Sequence, residues 1–227
     1  MNQNSKTAIL LFAQTAAVDT AHKSLASTGV IEILNKKVLD TIRYSGLDYY
    51  HFTQKEQRGD NFASRFTNSI QDVFAMGYKS VICLGNDTPL LTVHLIQQAA
   101  VHLQNGHAVN GKSCDGGLYL IGMNRAHFNA QKFENLSWQT ANLAASFHHY
   151  MDDYDGNLIV LKTLQDIDSN ADLYQFLAGK DARRFIIALL LNTLSRKRNN
   201  HTHKNDYHLK VVVDKPQNKG SPVLQAA

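Results

Sequence analysis

Cysteine, proline and long apolar runs are scarce in this sequence, and each shortage excludes a class of protein. The two cysteines, Cys83 and Cys114, are too few for a disulfide framework and do not have the spacing of a zinc site. Three prolines, together with 44% apolar residues, indicate an ordered globular chain. The longest unbroken apolar run extends from Phe185 to Leu191, whereas a membrane-spanning helix needs about 20 residues. We therefore expect no membrane span.

Several catalytic and targeting signatures are also missing. The sequence has no glycine-rich phosphate loop, no dinucleotide-binding fingerprint and no glycine-flanked nucleophilic serine. The first six residues are polar, with no signal-peptide core behind them. These absences disfavour serine hydrolases and P-loop enzymes, and they predict a cytoplasmic location.

Positive charge is concentrated at the C-terminal end. Residues 180–227 contain ten Lys or Arg and three Asp or Glu, a net charge of +7, whereas residues 1–179 carry −3. A basic end can bind nucleic acid, but neither aromatic interleaving nor a nucleic-acid-binding motif accompanies these charges. We therefore predict one α/β domain over residues 1–195, a basic and poorly ordered tail over 196–227, and no nucleic-acid partner. The composition carries no prediction of the oligomeric state.

Apolar periodicity alternates along the chain between the two-residue period of strands and the 3.6-residue period of helices. The predicted strands are Ala8–Phe12, Leu47–Phe52, Lys79–Leu84, His107–Asn110, Leu118–Met123 and Leu158–Leu161. The predicted helices are Val30–Tyr44, Phe62–Met76, Thr92–Leu103, Gln139–Tyr150, Leu173–Leu177 and Asp181–Ser195. This alternation predicts an α/β fold with a mainly parallel sheet and helices on both faces.

Two acidic turns flank the predicted central strands. Asp87 follows the apolar run Val81–Leu84, and Asp115 precedes two glycines and the strand that starts at Leu118. Ligands of α/β proteins bind where strands end, because the crevice of the sheet lies there. Two carboxylates delivered to one crevice form a natural site for Mg²⁺ or Mn²⁺ with a phosphorylated substrate. The sequence therefore predicts a metal-dependent enzyme acting on a nucleotide or sugar nucleotide.

Each acid also has a purely structural interpretation. Aspartate is common in turns and at helix caps, but Pro89 and Thr92 already supply the turn and the cap beside Asp87, so we favour a functional role there. Asp115 with its two glycines is an ordinary hairpin signal when taken alone. Glycine also permits close backbone approach to a ligand, and its N–H groups can face phosphate or sugar oxygens.

The segments around both acids, taken in order, resemble the DUF2064 family. The matching segments are Gly85-Asn86-Asp87-Thr88-Pro89-Leu90-Leu91, then Gly111 through Asp115-Gly116-Gly117-Leu118-Tyr119-Leu120-Ile121-Gly122-Met123, then Leu136-Ser137-Trp138-Gln139-Thr140. The flanking segments that also fit are Gln57-Arg58-Gly59 with Arg65, and Leu164-Gln165-Asp166-Ile167-Asp168 before Asp172-Leu173. The resemblance extends over roughly residues 7–177. It implies the GT-A fold of nucleotide-diphospho-sugar transferases, a three-layer α/β/α sandwich.

The resemblance also implies roles for individual residues. Asp87 would be the carboxylate that binds the divalent metal, Asp115 a second acid facing the metal or substrate, and Trp138 part of the wall around the acceptor or sugar. The residues implied in substrate binding are Gly85, Asn86, Gly116, Gly117, Tyr119, Trp138, Arg65, His22 and Lys23. The implied ligands are a nucleotide-sugar donor, Mg²⁺ or Mn²⁺, and a small-molecule or glycan acceptor.

The segment after the first strand departs from the family pattern. The family has a lysine, a proline–glycine loop and a Lys-Thr-Arg-Leu cluster there, whereas this chain has Gln14 for the first lysine and Ser24 for the arginine. The segment contains neither glycine nor proline, and Asp19 adds a negative charge. Serine cannot supply the bidentate fork that arginine offers to phosphate. His22 and Lys23 are the cations that remain in this segment.

Three functions are compatible with these features. The first is a metal-dependent glycosyltransferase using a nucleotide-diphospho-sugar donor, whose binding the altered segment would weaken. The second is a divergent, non-catalytic protein that binds a ligand or partner on the same fold, which the altered segment from Gln14 to Ser24 supports. The third is a nucleotidyltransferase, but that class normally has a basic glycine-rich loop after the first strand, and none is present.

Overall fold

The computed structural model describes residues 7–22, 28–154, 157–183 and 185–187, and its strands form one sheet. They are β1 (Thr7–Phe12), β2 (Asp48–Phe52), β3 (Ser80–Leu84), β4 (Ala108–Ser113), β5 (Leu118–Asn124) and β6 (Leu158–Leu164). The order across the sheet is β2-β1-β3-β5-β4-β6. Among these strands β5 runs antiparallel to both neighbours, and the other paired strands are parallel. The sheet is therefore mainly parallel, as predicted.

Helices connect the strands, and polar side chains in the sequence cap several of them. The helices are α1 (Ala16–His22), α2 (Thr28–Tyr44), α3 (Phe62–Ala75), α4 (Val93–Gln104), α5 (Ala130–Glu134), α6 (Leu143–Met151) and α7 (Asn170–Ala178). Asn61 and Ser64 form a reciprocal capping box at the start of α3, and Ser169 and Asp172 form another at α7. The Thr92 side chain caps α4. These caps satisfy backbone N–H groups that the first turn of a helix leaves unpaired.

Two apolar clusters fill the space between the sheet and the helices on its two faces. Alternate residues of β1 enter different clusters: Ile9 and Leu11 pack with α2 and α4, whereas Ala8 and Leu10 pack with α3, α5 and α6. A third cluster joins α2 to α7. The molecule is thus the three-layer α/β/α sandwich that the sequence predicts.

The structure differs from the predicted elements in several places, among them the helix α5 and the extension of β4 from Asn110 to Ser113, neither of which is predicted. The helix α1 lies in the segment after β1, where no helix is predicted. The helix predicted from Gln139 begins at Leu143, because Gln139 adopts a left-handed conformation with a φ of 58°. The strand β6 continues to Leu164 rather than Leu161, since its pairing with β4 resumes at Ser113 after a shift of register.

The C-terminal part of the prediction lies largely outside the described residues. Residues 183 and 185–187 are helical, within the helix predicted over Asp181–Ser195. The basic segment 196–227 lies outside, so the domain boundary at residue 195 stays a prediction. Within the described residues, no helix combines the length and the apolar character needed to cross a membrane.

The strand directions place several loops at one edge of the sheet, which we call the carboxyl edge. The parallel strands β1, β2, β3, β4 and β6 end there, and the antiparallel β5 begins there. Leu84 of β3 lies opposite Leu120 of β5, and Ser113 of β4 lies opposite Leu164 of β6. The segments that emerge together at this edge are consequently 85–91, 114–117 and 165–168.

Candidate functional site

Asp87 lies at the carboxyl edge, just beyond the end of β3. Its side chain is partly exposed, and its backbone carbonyl accepts a hydrogen bond of 2.9 Å from the Ile167 N–H. This bond fixes the turn after β3 to the segment after β6. A Cβ atom at Gly85 would lie 3.1 Å from Asp87 Oδ1. The glycine therefore leaves room for the Asp87 carboxylate.

A second acid at this edge, Asp166, is not among the predicted site residues. Thr88 Oγ1 donates a hydrogen bond of 2.5 Å to its Oδ1, and Ser113 Oγ donates to its Oδ2. Burial, and next the Asp87 carboxylate, raise the pKa of Asp166 to about 7, although the two hydroxyl groups act in the opposite direction. The carboxylates of Asp87 and Asp166 are therefore close enough to repel each other.

Asp166 follows a strand directly, which is the sequence feature that identifies Asp87, but the predicted strand ends too early to show it. Asp166 stands just beyond β6, as Asp87 stands just beyond β3. Because the strand is predicted to end at Leu161, Asp166 falls inside a connecting loop in that prediction. The irregularity in the pairing of β4 with β6 carries the strand to Leu164, and apolar periodicity does not reveal such an irregularity.

Asp115 emerges at the carboxyl edge as predicted, but its carboxylate interacts with its own turn. The side chain is exposed, and Oδ1 accepts a hydrogen bond of 2.9 Å from the Gly117 N–H. The Gly116 N–H donates to the Ser113 carbonyl at 3.2 Å. Both glycine N–H groups are therefore used by the turn, which counts against the prediction that they face phosphate or sugar oxygens. The role of Asp115 itself stays a prediction.

Gly116 brings this turn against the segment before α6. It has a φ of 93°, and a Cβ atom at this position would lie 2.2 Å from the Ala141 carbonyl oxygen. Its own carbonyl accepts a hydrogen bond of 3.2 Å from the Ala144 N–H. The close backbone approach that glycine permits here is therefore to the protein itself.

Asn86 is buried and joins the Asp87 turn to two helices. Its side-chain Nδ2 donates to Asp19 Oδ2 of α1 at 2.8 Å and to Asn35 Oδ1 of α2 at 2.6 Å. Both N–H donors of the amide are thus engaged inside the protein. The amide N–H groups of Asn86 therefore link α1 and α2 to the site, and its contact with substrate stays a prediction.

Two aromatic residues predicted to bind substrate are packed within the protein. Tyr119 is only 2% exposed and its hydroxyl donates to the Lys162 carbonyl at 2.9 Å, which indicates a packing role, and its contact with substrate stays a prediction. Trp138 is partly buried, its indole N–H donates to the Phe133 carbonyl at 3.0 Å, and its ring packs edge-on against Phe66. Its predicted place in an acceptor wall remains a prediction.

The predicted cations are described only in part. Arg65 lies in the first turn of α3 and is partly exposed. His22 is the last residue of α1, but its side chain, like the whole of Lys23, lies outside the described residues. Their contacts with a donor stay predictions.

The chemistry of the two coupled acids fits a divalent cation. A cation would relieve the repulsion between Asp87 and Asp166 that contributes to the raised pKa of Asp166. In the part of the chain that the structure describes, no group of three or more His, Cys, Asp or Glu side chains is arranged to hold a metal ion. Mg²⁺, however, is usually held by one or two carboxylates together with substrate phosphates. The pair suits a metal that shares its coordination with a substrate.

Two shallow cavities border Arg125, away from these acids. The first, of about 370 Å³, lies at the edge where β3 begins and β5 ends. The second, of about 320 Å³, lies between α3 and the residues that follow Arg125. No carboxylate lines either cavity. Because Asp166, a carboxyl group with a raised pKa, lies at the carboxyl edge, we place the candidate site there.

The sheet order and the acidic carboxyl edge define a protein with the nucleotide-diphospho-sugar transferase fold. The structure is similar to a provisionally assigned nucleotide-diphospho-sugar transferase from Desulfovibrio desulfuricans G20, with 22% identity and a TM-score of 0.70 over 86% of this chain and 98% of that chain. It is also similar to Rv0371c from Mycobacterium tuberculosis H37Rv, with 11% identity and a TM-score of 0.55 over 78% and 100% of the two chains. A third similar structure is 4-diphosphocytidyl-2C-methyl-D-erythritol synthase from Anaerococcus prevotii DSM 20548, with 10% identity and a TM-score of 0.50 over 76% and 94%. At these identities the likeness concerns the fold.

The chain belongs to the DUF2064 family, described as uncharacterized proteins conserved in bacteria. The family profile matches residues 15–140, more than half of the chain. The match includes both acidic turns and Trp138, which confirms the resemblance seen in the sequence, whereas Asp166 lies beyond the matched residues. No curated protein matches the chain in sequence.

Proposed function

We propose that this protein is a metal-dependent glycosyltransferase that uses a nucleotide-diphospho-sugar donor. The supporting observation is the electrostatic coupling of Asp87 and Asp166 at the carboxyl edge of a nucleotide-diphospho-sugar transferase fold. Ligands of such α/β sheets bind at this edge, and two carboxylates there match the needs of a cation that also binds phosphate.

In this proposal Asp87 and Asp166 hold Mg²⁺ or Mn²⁺, and Asp166 takes the place that the sequence analysis gives to Asp115. A cation held by these two carboxylates would supply positive charge to neutralise the diphosphate leaving group. Asp115, exposed at the same edge, faces an acceptor that is a small molecule or glycan. In the same proposal Trp138, which packs against the apolar cluster of α3, α5 and α6, forms part of the wall around the acceptor or sugar.

The donor side of the proposed site contains an unusual negative charge. Asp19 of α1 is buried and held by the Asn86 amide of the metal-binding turn. Gln14 and Ser24 stand where the family has a lysine and an arginine, so this side has fewer cations to attract a diphosphate. We therefore propose that donor affinity is weaker than in family members with a basic loop, and that His22, Lys23 and Arg65 supply the cations that contact the donor.

A non-catalytic binding protein of the same fold is the second candidate. The hydrogen bond between Asn86 and Asp19 favours it, because this bond builds an acid into the wall where phosphate-binding cations are expected. A nucleotidyltransferase is the third candidate. The segment after β1 forms the helix α1 and contains no glycine, which disfavours a phosphate-binding loop there.

Titration with sugar nucleotides tests the proposal. We would follow thermal unfolding and calorimetric binding with UDP-, GDP-, CDP- and dTDP-sugars, each with and without Mn²⁺. We expect one of them to stabilise the protein only when Mn²⁺ is present, and Asp87→Asn and Asp166→Asn to abolish that effect. Asp40→Asn is the matched control, because it removes an exposed carboxylate of α2 whose ion pairs with Lys36 and Arg43 lie on the surface.

The other outcomes of this titration separate the alternatives. Binding of a nucleoside triphosphate with release of pyrophosphate would favour a nucleotidyltransferase. Binding of no nucleotide at millimolar concentration, with or without Mn²⁺, would contradict both enzymatic functions and favour the non-catalytic protein.

A further inference from the structure

We infer that Thr88 and Ser113 are positioning residues, whose hydroxyl groups hold the Asp166 carboxylate beside Asp87 in the orientation that binds the cation. This inference rests on the proposed function, since it concerns the same metal site. It assigns a positioning role to two uncharged residues whose hydroxyl groups contact the Asp166 carboxylate.

The two hydroxyl groups contact different oxygens of one carboxylate. Thr88 Oγ1 donates to Asp166 Oδ1 and Ser113 Oγ donates to Oδ2. A hydroxyl has one proton to donate, so both donors are fully used by Asp166. Rotation of the carboxylate about its terminal bond would break both hydrogen bonds at once. Each oxygen retains further lone-pair capacity with which it can bind a cation.

The donors come from separate parts of the chain. Thr88 belongs to the turn that carries Asp87, whereas Ser113 is the last residue of β4. Both side chains are buried, at 8% and 4% exposure, so water competes little for their hydrogen bonds. The two hydroxyl groups therefore join the ends of β3, β4 and β6 at a single carboxylate, that of Asp166.

The backbone around the acid is held independently of these hydroxyl groups. The Ile167 N–H donates to the Asp87 carbonyl at 2.9 Å, and the Cys114 N–H donates to the Leu164 carbonyl at 3.0 Å. Removing a hydroxyl group should therefore release the Asp166 side chain without moving the chain that bears it. The substitutions Thr88→Val and Ser113→Ala consequently test side-chain orientation.

Mn²⁺ affinity, measured by calorimetry near pH 8 so that the carboxylates are ionised, provides a readout independent of activity. Loss of a partner that orients a metal ligand typically lowers metal affinity by about 10-fold or more. We therefore expect Thr88→Val and Ser113→Ala to lower the Mn²⁺ affinity by about 10-fold or more. The Mn²⁺ affinity of Thr88→Ser should stay within about threefold of that of the unmutated protein. The electron paramagnetic resonance spectrum of bound Mn²⁺ should change in the two weakened variants and be retained in Thr88→Ser.

A matched control separates orientation from general stability. Thr92→Ala removes a nearby threonine hydroxyl that caps α4 and does not contact Asp166. It should lower the melting temperature and leave Mn²⁺ affinity unchanged. Circular dichroism checks folding, and if Ser113→Ala does not fold, the comparison of Thr88→Val with Thr88→Ser decides the matter.

The outcomes distinguish this inference from the proposed function. If Thr88→Val and Ser113→Ala bind Mn²⁺ as tightly as the unmutated protein while Asp87→Asn does not bind it, the positioning role is overturned and the metal site stands. If Thr88→Ser is as weak as Thr88→Val, the hydroxyl group of Thr88 is not the cause. If the unmutated protein binds no Mn²⁺, the inference and the proposed metal site are both contradicted.

Discussion

Asp166 makes the stability of the metal-free protein depend on pH. Its ordinary pKa is 3.8, and burial together with the Asp87 carboxylate raises that pKa to about 7 in the folded protein. Between these values the folded protein holds a proton that the unfolded chain has released. The stabilising contribution of this proton is fully present below pH 3.8 and is lost as the pH rises through about 7.

We expect Asp166→Asn to flatten this dependence, because the amide does not titrate. Chemical denaturation of the metal-free proteins between about pH 5 and pH 8 should show a free energy of unfolding that falls more with pH in the unmutated protein than in the variant. Asp40→Asn, at an exposed position of α2, should keep the slope of the unmutated protein. Equal slopes in the unmutated protein and Asp166→Asn would contradict the perturbed pKa.

Tyr119→Phe tests whether this tyrosine packs the core or binds substrate. The substitution removes the hydrogen bond to the Lys162 carbonyl and leaves the ring in place over Gly111. We expect a loss of about 1 kcal/mol in the free energy of unfolding, measured by urea denaturation, with ligand affinity unchanged. Weaker ligand binding at unchanged stability would instead restore the predicted contact with substrate.

At the scale of secondary-structure elements, the turn between β4 and β5 is fixed by its contact with the segment before α6. Gly116 is the residue at this contact, with a φ of 93° and the Ala141 carbonyl where a side chain would be. Gly106, in the turn between α4 and β4, has a similar φ of 86°, and no atom lies within 4 Å of the position that a Cβ atom would take there. Substitutions at the two glycines therefore distinguish two effects on the free energy of unfolding, the strain of a left-handed backbone and the strain of a steric clash.

We expect Gly106→Ala to lower the free energy of unfolding by about 1–2 kcal/mol, because an L-residue is disfavoured at positive φ. Gly116→Ala should cost about 1–3 kcal/mol more, because the added methyl group collides with backbone. Urea denaturation of both variants measures the difference. Equal costs would mean that the turn and the segment at Ala141 separate readily.

The elements that the sequence predicts well are those with long periodic runs or explicit caps. The helix α4 begins after the predicted cap Thr92, and α7 begins at a capping box of Ser169 and Asp172, three residues before the predicted start at Leu173. The helix α1 is missed because its seven residues are too few to display a helical period. The late start of α6 is missed because the left-handed conformation at Gln139 is not encoded by glycine or asparagine.

At the scale of the whole molecule, the alternation of elements is enough to predict the layered α/β fold and the edge where Asp87 lies. The partner of Asp87 is not predictable in the same way. Asp166 reaches it through a shift in strand pairing, and the inward roles of Asn86 and Tyr119 depend on neighbours distant in sequence. Apolar periodicity indicates which face of an element is apolar, but it does not indicate the register of strand pairing or the tertiary contacts.

Truncation tests the predicted domain boundary at residue 195. The described core clusters end with Phe185 and Ile186 in the cluster that joins α2 and α7. A chain ending at residue 195 keeps these residues, and we expect its melting temperature to stay within about 5 °C of the full chain. A chain ending at residue 178 loses the buried Phe185 and should be destabilised by about 3 kcal/mol or more. A large loss on truncation after residue 195 would place the boundary further along the chain.

Because β5 runs antiparallel to both neighbours, the loop before it is separate from the helical connections between the parallel strands. The loop that leads into β5 reaches the carboxyl edge without being a crossover connection between parallel strands. Its exposed residue Asp115 can therefore be replaced without altering the helices or the acids beyond β3 and β6, whereas Gly116 and the Cys114 N–H, which contact Ala141 and Leu164, have to be kept. Under the proposed function, laboratory evolution that randomises Asp115 and the exposed residues 139–140 should diversify acceptor preference and leave the proposed cation site unchanged.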